Sequence, residues 1–126
     1  RLRLALSGIP GIRLIETPSQ THASYLRFPV LVEEAACRAP LIAALRARGI
    51  AAGPLYPRPL HRVDELAGHG PDHGGRFPNA ERLAECLLTL PTYPHVDDRV
   101  VGAVRQAAEA VLGVAPGTAE PREPAR

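Results

Sequence analysis

The sequence lacks several residue types whose absence limits what the chain can do. None of its 126 residues is methionine or tryptophan, and all 15 basic residues are arginine, so there is no lysine. A mechanism that needs a lysine amine, such as a Schiff base with a carbonyl cofactor, cannot be completed by these residues. Because the chain opens on the arginine-rich apolar stretch RLRLAL rather than on methionine, we expect it to be truncated at its N-terminus.

Aromatic residues and cysteines are also scarce. Aromatics make up only 4% of the chain, so the core has to be built from leucine, valine, isoleucine and alanine. Cys37 and Cys86 are too few and too far apart for a disulfide framework or a CxxC metal site. We expect each to be a small buried hydrophobe.

Long apolar runs and one-sided charge are missing as well. No stretch approaches the roughly 20 apolar residues that a membrane helix needs, and the N-terminus lacks the pattern of a signal peptide. The formal net charge is only +2, and arginines and acids are interspersed without a basic stripe. We therefore expect a soluble, cytoplasmic protein that has neither a membrane nor a nucleic-acid partner.

The residues that are present favour one folded domain. Apolar residues make up 45% of the chain and charged residues 22%, a balance typical of globular proteins. Helical and extended patterns alternate, which predicts an α/β two-layer domain: a short, mainly antiparallel sheet with helices packed on one face. We place this domain at residues 1–113 and expect residues 114–126 to be a disordered, proline-rich tail.

Two extended segments are expected in the first third of the chain. Residues 1–6 resemble the last turns of a helix, which Gly8 ends. Strands are predicted over 12–15 and 26–32. In the second strand Pro29 has no N–H, which predicts either an edge strand or a position turned away from the ladder.

Two helices have clear end signals. Pro40 suits the first turn of one helix, and Gly49 suits its end; its buried face comprises Leu41, Ile42 and Leu45. Asp97 is the predicted N-cap of the last helix, with Asp98 in its first turn and Gly113 at its end. Capping explains this pair of carboxylates more simply than acid/base catalysis does.

The helix between them has an ambiguous end. Asn79 is its predicted N-cap. Apolar residues at offsets of 0, 3, 4, 7 and 8 from Ala80 predict one apolar stripe along the helix. They are Ala80, Leu83, Ala84, Leu87 and Leu88. Alternatively, Leu87–Leu90 is extended, because prolines follow at 91 and 94.

The main candidate for function is the long stretch 53–78, which is rich in glycine and proline and has no periodic pattern. Within it, the sequence YPRPLH has two prolines that fix the backbone and hold Tyr56, Arg58 and His61 in set directions. A phenol, a guanidinium and an imidazole suit a polar or phosphorylated ligand. The alternative is a surface turn whose tyrosine packs locally and whose histidine is solvated.

Three histidines in this stretch, His61, His69 and His73, raise the question of a zinc site. A spacing of four serves as a metal pair on a helix, but glycines and a proline at 70, 71 and 74 disfavour a helix there. We therefore predict no metal site. His22 and His95 are predicted to be structural or solvated.

Four segments in a fixed order are similar to a known family. They are FPVLV (28–32), LIAALRARGI (41–50), YPRPLH (56–61) and FPNAERLAECLLTLPTYPHVDD (77–98), followed by an amphipathic helix. Together they resemble the C-terminal small domain of the DegT/DnrJ/StrS family, over about residues 1–112. This family comprises aminotransferases of nucleotide-linked sugars that depend on pyridoxal phosphate and have the aspartate aminotransferase fold type.

The resemblance implies that the full-length protein is a homodimeric enzyme of amino-sugar biosynthesis. Such an enzyme moves an amino group from glutamate or glutamine to a nucleotide-linked keto-sugar. The family's cofactor lysine and its other pyridoxal phosphate ligands lie upstream, in a large domain. This chain is therefore expected to carry no catalytic or cofactor-binding residue, to form one wall of the substrate cleft and to be inactive alone.

The family's Y..PLH stretch matches Tyr56, Pro59, Leu60 and His61. The match implies that Tyr56 and His61, together with Arg58, face the sugar nucleotide. After His61 this chain departs from the Gln-Pro-x-Tyr-like continuation frequent in the family, so the sugar specificity does not carry over. The alternative from another class is a free-standing α/β module that uses this segment to bind a small anion without catalysis.

Overall fold

The computed structural model describes residues 1–66, 77–93 and 96–113. Within these residues the chain forms four α-helices and three β-strands: α1 (Leu2–Leu6), β1 (Ile12–Leu14), β2 (Phe28–Val32), α2 (Ala35–Arg46), α3 (Pro78–Cys86), β3 (Leu87–Leu90) and α4 (Asp98–Leu112). The predicted α/β class is confirmed. The predicted tail at 114–126 lies outside the described residues.

The three strands form one antiparallel sheet in the order β1-β2-β3. Val30 in β2 lies opposite Leu14 in β1 and opposite Leu88 in β3. Branched and aliphatic side chains suit such a doubly paired strand, because each packs against neighbours on both sides. The strand predicted from FPVLV is therefore the central one.

Pro29 is tolerated in this central strand because its nitrogen has no ladder partner to lose. It lies opposite Thr89, whose N–H and C=O bond to Gly53 on the far side at 2.9 and 3.3 Å. Because bonding groups alternate between the two neighbours of an antiparallel strand, the Pro29 nitrogen faces away from β3. On that side β1 has already ended at Leu14. The edge-strand alternative is wrong, and the position away from a ladder is confirmed.

Strand β2 begins two residues later than predicted. The Thr92 hydroxyl donates to the carbonyls of Tyr25 and Leu26 at 2.9 and 2.8 Å. These carbonyls are thereby bonded to a side chain instead of a strand ladder. The Leu26 side chain, 91% exposed, contributes nothing to the core.

Helices α1, α2 and α4 cover one face of the sheet. Apolar side chains from these helices meet strand residues in one cluster: Leu6, Leu41, Leu45, Val104 and Ala108 against Ile12, Val30, Leu88 and Leu90. The core is aliphatic as predicted, with Phe28 as its one aromatic ring among the described residues. The arrangement of helices on one face is confirmed for these three helices.

Helix α2 begins earlier than its proline suggests. It starts at Ala35, so Pro40 lies in the second turn rather than the first. A proline there removes the hydrogen bond to the carbonyl four residues back, that of Ala36. Both residues are exposed, so water can reach this turn. The predicted buried face and the left-handed Gly49, with φ of 74°, are confirmed.

Helix α3 also differs from the prediction at its start. Its N-cap is Phe77, which makes no side-chain capping bond, and Pro78 occupies the first helical position. Proline is well placed there because the first N–H of a helix has no partner in any case. Asn79 is therefore inside the helix. The helix ends at Cys86, and the extended alternative for Leu87–Leu90 is confirmed.

Helix α4 has the two ends that the sequence predicts. The Asp97 carboxylate accepts a hydrogen bond from the Val100 N–H at 3.0 Å, and Gly113 adopts the left-handed conformation at the far end. Val104 and Ala108 are buried against the sheet. The capping aspartate, the apolar periodicity and the terminal glycine therefore all indicate the same helix.

We expect Asp97→Ala to lower the free energy of unfolding by about 1 kcal/mol, since the Val100 N–H loses its acceptor. The matched control is Asp98→Ala, whose carboxylate is 87% exposed and lies 3.6 Å from Arg1. Such exposed pairs contribute little. Urea unfolding followed by circular dichroism measures both variants, and equal losses would contradict the capping role.

None of the described helices is long and apolar enough to cross a membrane. Cys37 and Cys86 are both free thiols. Cys86 is buried in the core, as predicted, whereas Cys37 is only half-buried.

Candidate functional site

The segment that leads into YPRPLH is fixed to the rest of the fold by its backbone. Gly53 exchanges two hydrogen bonds with Thr89 of β3. The Arg46 Nε donates to the Ala52 carbonyl at 2.8 Å, and the Arg27 Nη2 donates to the Ala51 carbonyl at 2.9 Å. The proline-rich residues therefore begin just beyond a firmly held point.

The far end of the segment closes in a 3₁₀ turn, Leu60–Arg62. The N–H groups of Arg62 and Val63 donate to the carbonyls of Pro59 and Leu60 at 2.9 and 3.1 Å. This turn directs the His61 side chain towards helix α3.

His61 is the most enclosed of the predicted site residues, with 15% of its side chain exposed. Its Nε2 lies 3.1 Å from the Glu81 Oε1. Its ring lies 4.8 Å, centroid to centroid, from the Phe77 ring at an angle of 47°. The histidine is thus held by one polar and one aromatic contact, both from the start of α3.

Glu81 is ionised and accepts hydrogen bonds from two residues. The same Oε1 accepts from the Arg62 Nη2 at 2.9 Å. Hydrogen bonding to these two residues holds the pKa of Glu81 below its ordinary value. His61 contributes most to this shift, and Arg62 contributes less. The carboxylate therefore stabilises the fold fully at a pH above the ordinary glutamate pKa. This stabilisation is lost as the pH falls through the lowered pKa.

A groove of about 530 Å³ runs between the YPRPLH segment and helix α3. Its walls are mostly apolar and consist of Tyr56, Arg58, Pro59, Leu60, His61, Phe77, Ala80, Leu83 and Ala84. The sequence pattern predicts that Ala80 and Leu83 are buried, but the structure leaves both exposed in this groove. Two of the five residues of the predicted stripe therefore line a surface site instead of the core.

Tyr56 and Arg58 lie at the open side of the groove. Tyr56 is 60% exposed, and its hydroxyl has no hydrogen bond from the described residues. The Arg58 Nη1 lies 3.9 Å from the Asp64 Oδ2, and both side chains are mostly exposed. Such a pair is weak, so a ligand anion can compete for the guanidinium. The structure thus brings all three predicted residues to one groove.

Sequence reasoning missed Glu81 and Phe77, which hold His61. No local spacing links residues 61 and 81, since they meet only through the tertiary fold. The histidines considered for zinc, His69 and His73, lie outside the described residues. Within the described ranges no three His, Cys, Asp or Glu side chains cluster as a metal site.

The antiparallel sheet and its helical layer define a small α/β domain that is also found in an aminotransferase of known structure. A sequence profile of the DegT/DnrJ/EryC1/StrS aminotransferase family matches residues 1–109. The chain belongs to this family, which confirms the resemblance drawn from its four segments.

Three similar proteins illustrate the relationship. The chain is 39% identical over 84% of its length to dTDP-3-amino-3,4,6-trideoxy-alpha-D-glucose transaminase of Streptomyces venezuelae. It is 34% identical over 68% of its length to a pleiotropic regulatory protein of Geobacillus stearothermophilus. The crystal structure of S. venezuelae DesV in complex with a ketimine intermediate matches 86% of the chain, with a TM-score of 0.71 and 38% identity.

The chain is much shorter than these relatives. It covers 28% of the transaminase, 23% of the regulatory protein and 29% of the DesV chain.

Proposed function

We propose that the chain is the C-terminal part of a pyridoxal phosphate-dependent aminotransferase that transfers an amino group from glutamate or glutamine to a nucleotide-linked keto-sugar. The observation that carries this proposal is the 39% identity with a transaminase named for a dTDP-linked amino sugar. The full-length enzyme is a cytoplasmic homodimer in this proposal. The present chain forms one wall of the substrate cleft and is inactive alone.

Exposed apolar side chains around the groove support this role as part of a larger enzyme. Leu60 is 74% exposed, Leu83 40% and Phe77 36%. Large hydrophobic groups that lie together on a surface are typical of sites that another surface or a ligand covers.

The residues of this chain do not fit a covalent site for the cofactor. Pyridoxal phosphate is held in such enzymes through a lysine amine, and the chain contains no lysine. We assign cofactor binding to the part of the enzyme outside this chain, and the groove residues act only on the substrate.

Each of the three predicted residues has a distinct role in this proposal. The Tyr56 hydroxyl is free to bond a polar group of the ligand, since no described residue occupies it. The Arg58 guanidinium suits a phosphate of the nucleotide, which it can contact through two parallel N–H groups. His61, held against α3, contacts the sugar.

The test is His61→Ala in the full-length enzyme. Loss of one hydrogen bond to the sugar costs about 0.5–1.5 kcal/mol, so we expect kcat/KM for the keto-sugar nucleotide to fall roughly twofold to tenfold. Unchanged KM and kcat would contradict the assignment.

A second variant separates a substrate contact from a folding defect. Tyr56→Phe removes only a hydroxyl that has no described partner, so stability should hold while KM for the sugar nucleotide rises. Tyr93→Phe is the matched control: Tyr93 is 46% exposed, does not line the groove and should leave the kinetics unchanged.

A free-standing regulatory or anion-binding module is the second candidate. The observation in its favour is the 34% identity with a protein named as a pleiotropic regulator. It predicts that the purified chain is monodisperse and gains thermal stability with a phosphorylated ligand. The aminotransferase proposal predicts instead self-association through the uncovered apolar surface and no such gain.

A further inference from the structure

We infer that Glu81 is a positioning residue: it fixes the proton of His61 on Nε2 and leaves Nδ1 as a hydrogen-bond acceptor for a hydroxyl of the sugar. This inference rests on the proposed function, in which His61 contacts the sugar. It adds a residue that touches no substrate, and it states which kind of group His61 recognises.

The first step is the chemistry of the Glu81 contact. A carboxylate can only accept hydrogen bonds, and its Oε1 lies 3.1 Å from the His61 Nε2. The hydrogen must therefore be on Nε2. In the neutral imidazole the other nitrogen, Nδ1, then carries a lone pair and accepts.

The second step is that the carboxylate itself is held in place. Glu81 lies in the first turn of α3, where the helix dipole favours a negative charge. Arg62 bonds the same oxygen through both its Nε and its Nη2, at 3.3 and 2.9 Å. An ionised, anchored acceptor selects one tautomer more firmly than a mobile or neutral group does.

The third step is that the imidazole cannot easily turn over to exchange its nitrogens. The side chain is 15% exposed and lies against the Phe77 ring. Its backbone belongs to the 3₁₀ turn after Pro59, so the start of the side chain is fixed as well. No described residue bonds to Nδ1, which leaves that nitrogen to a ligand.

The acceptor at Nδ1 determines what His61 recognises. A sugar hydroxyl can donate to it, whereas an ionised phosphate has only acceptor oxygens. His61 and Arg58 therefore divide the sugar nucleotide between them: the imidazole takes a hydroxyl and the guanidinium takes a phosphate. The selectivity of the groove for a hydroxylated carbon depends on Glu81 through this tautomer.

The experiment uses the full-length enzyme with ¹⁵N-labelled histidine and the variant Glu81→Gln. Long-range ¹H–¹⁵N spectra distinguish the two ring nitrogens, and His61→Gln assigns the signal. We expect the wild type to show one tautomer, protonated on Nε2, and Glu81→Gln to show a mixture, because an amide can present either oxygen or nitrogen. A wild-type ring protonated on Nδ1, or a Glu81→Gln spectrum identical to wild type, would overturn the inference.

Kinetics on the same proteins separate this inference from the proposed function. We expect Glu81→Gln to raise KM for the keto-sugar nucleotide about threefold to tenfold with kcat nearly unchanged. Glu85→Gln, an exposed glutamate on the same helix, is the control and should alter neither spectrum nor KM. A changed tautomer with an unchanged KM supports the positioning by Glu81 and refutes the sugar contact of His61. An unchanged tautomer with a raised KM refutes the positioning alone.

Discussion

Leu88→Ala is expected to lower the free energy of unfolding by about 2–5 kcal/mol, the range measured for emptied leucine sites in protein cores. Leu88 is 1% exposed and lies in β3, opposite Val30 of the central strand β2. Residues of the helical layer pack over the Leu88 side chain, among them Leu41 and Val104. The removed methyl groups leave a cavity between the sheet and the helices, whose surrounding side chains keep it from collapsing.

Urea unfolding followed by circular dichroism measures this loss. Leu4→Ala is the matched control, because it is the same substitution at a side chain that is 79% exposed. We expect it to change the free energy of unfolding by no more than about 0.5 kcal/mol. Similar losses at both positions would mean that the sheet and helices do not enclose Leu88.

Thr89→Val is the second large effect, expected to cost about 1–3 kcal/mol. The threonine hydroxyl accepts from the Arg27 Nε at 2.8 Å and donates to the Gly53 carbonyl at 3.3 Å. Valine keeps the branched shape in a site that is 2% exposed but removes both bonds. The Arg27 guanidinium, on an exposed side chain, then loses this acceptor.

A double-mutant cycle isolates the bond itself. Thr89→Val, Arg27→Ala and the double variant should give a coupling free energy of about 0.5–3 kcal/mol, the range for residues in direct contact. Strict additivity would show that the Arg27–Thr89 contact contributes nothing to stability.

Helix α4 was predictable because independent local signals coincide there: a capping aspartate, an apolar repeat and a terminal glycine. The start of α2 was not, since its N-cap Glu34 makes no side-chain capping hydrogen bond. Its first residues, Ala35 and Ala36, are exposed and give no apolar stripe. The sequence left two placements of β2 open, because the pairing of Pro29 depends on Gly53, the distant partner of Thr89.

The candidate site also has one part that the sequence predicts and one part that it does not. Prolines at 57 and 59 indicate a stiff segment from the sequence alone, so the grouping of Tyr56, Arg58 and His61 could be predicted. The role of Glu81 could not, because it depends on helix α3 folding back against a turn far away in the chain. Nothing in the local pattern distinguishes Glu81 from the exposed Glu85.

Two of the contacts that hold the YPRPLH segment come from one uninterrupted piece of chain. Gly53 is held by Thr89 in β3, and His61 is held by Glu81 in α3. Helix α3 ends at Cys86 and strand β3 begins at the very next residue, with no loop between them. The distance the segment must span is therefore set by a direct junction between helix and strand, so side chains within the span can be exchanged while the groove keeps its dimensions.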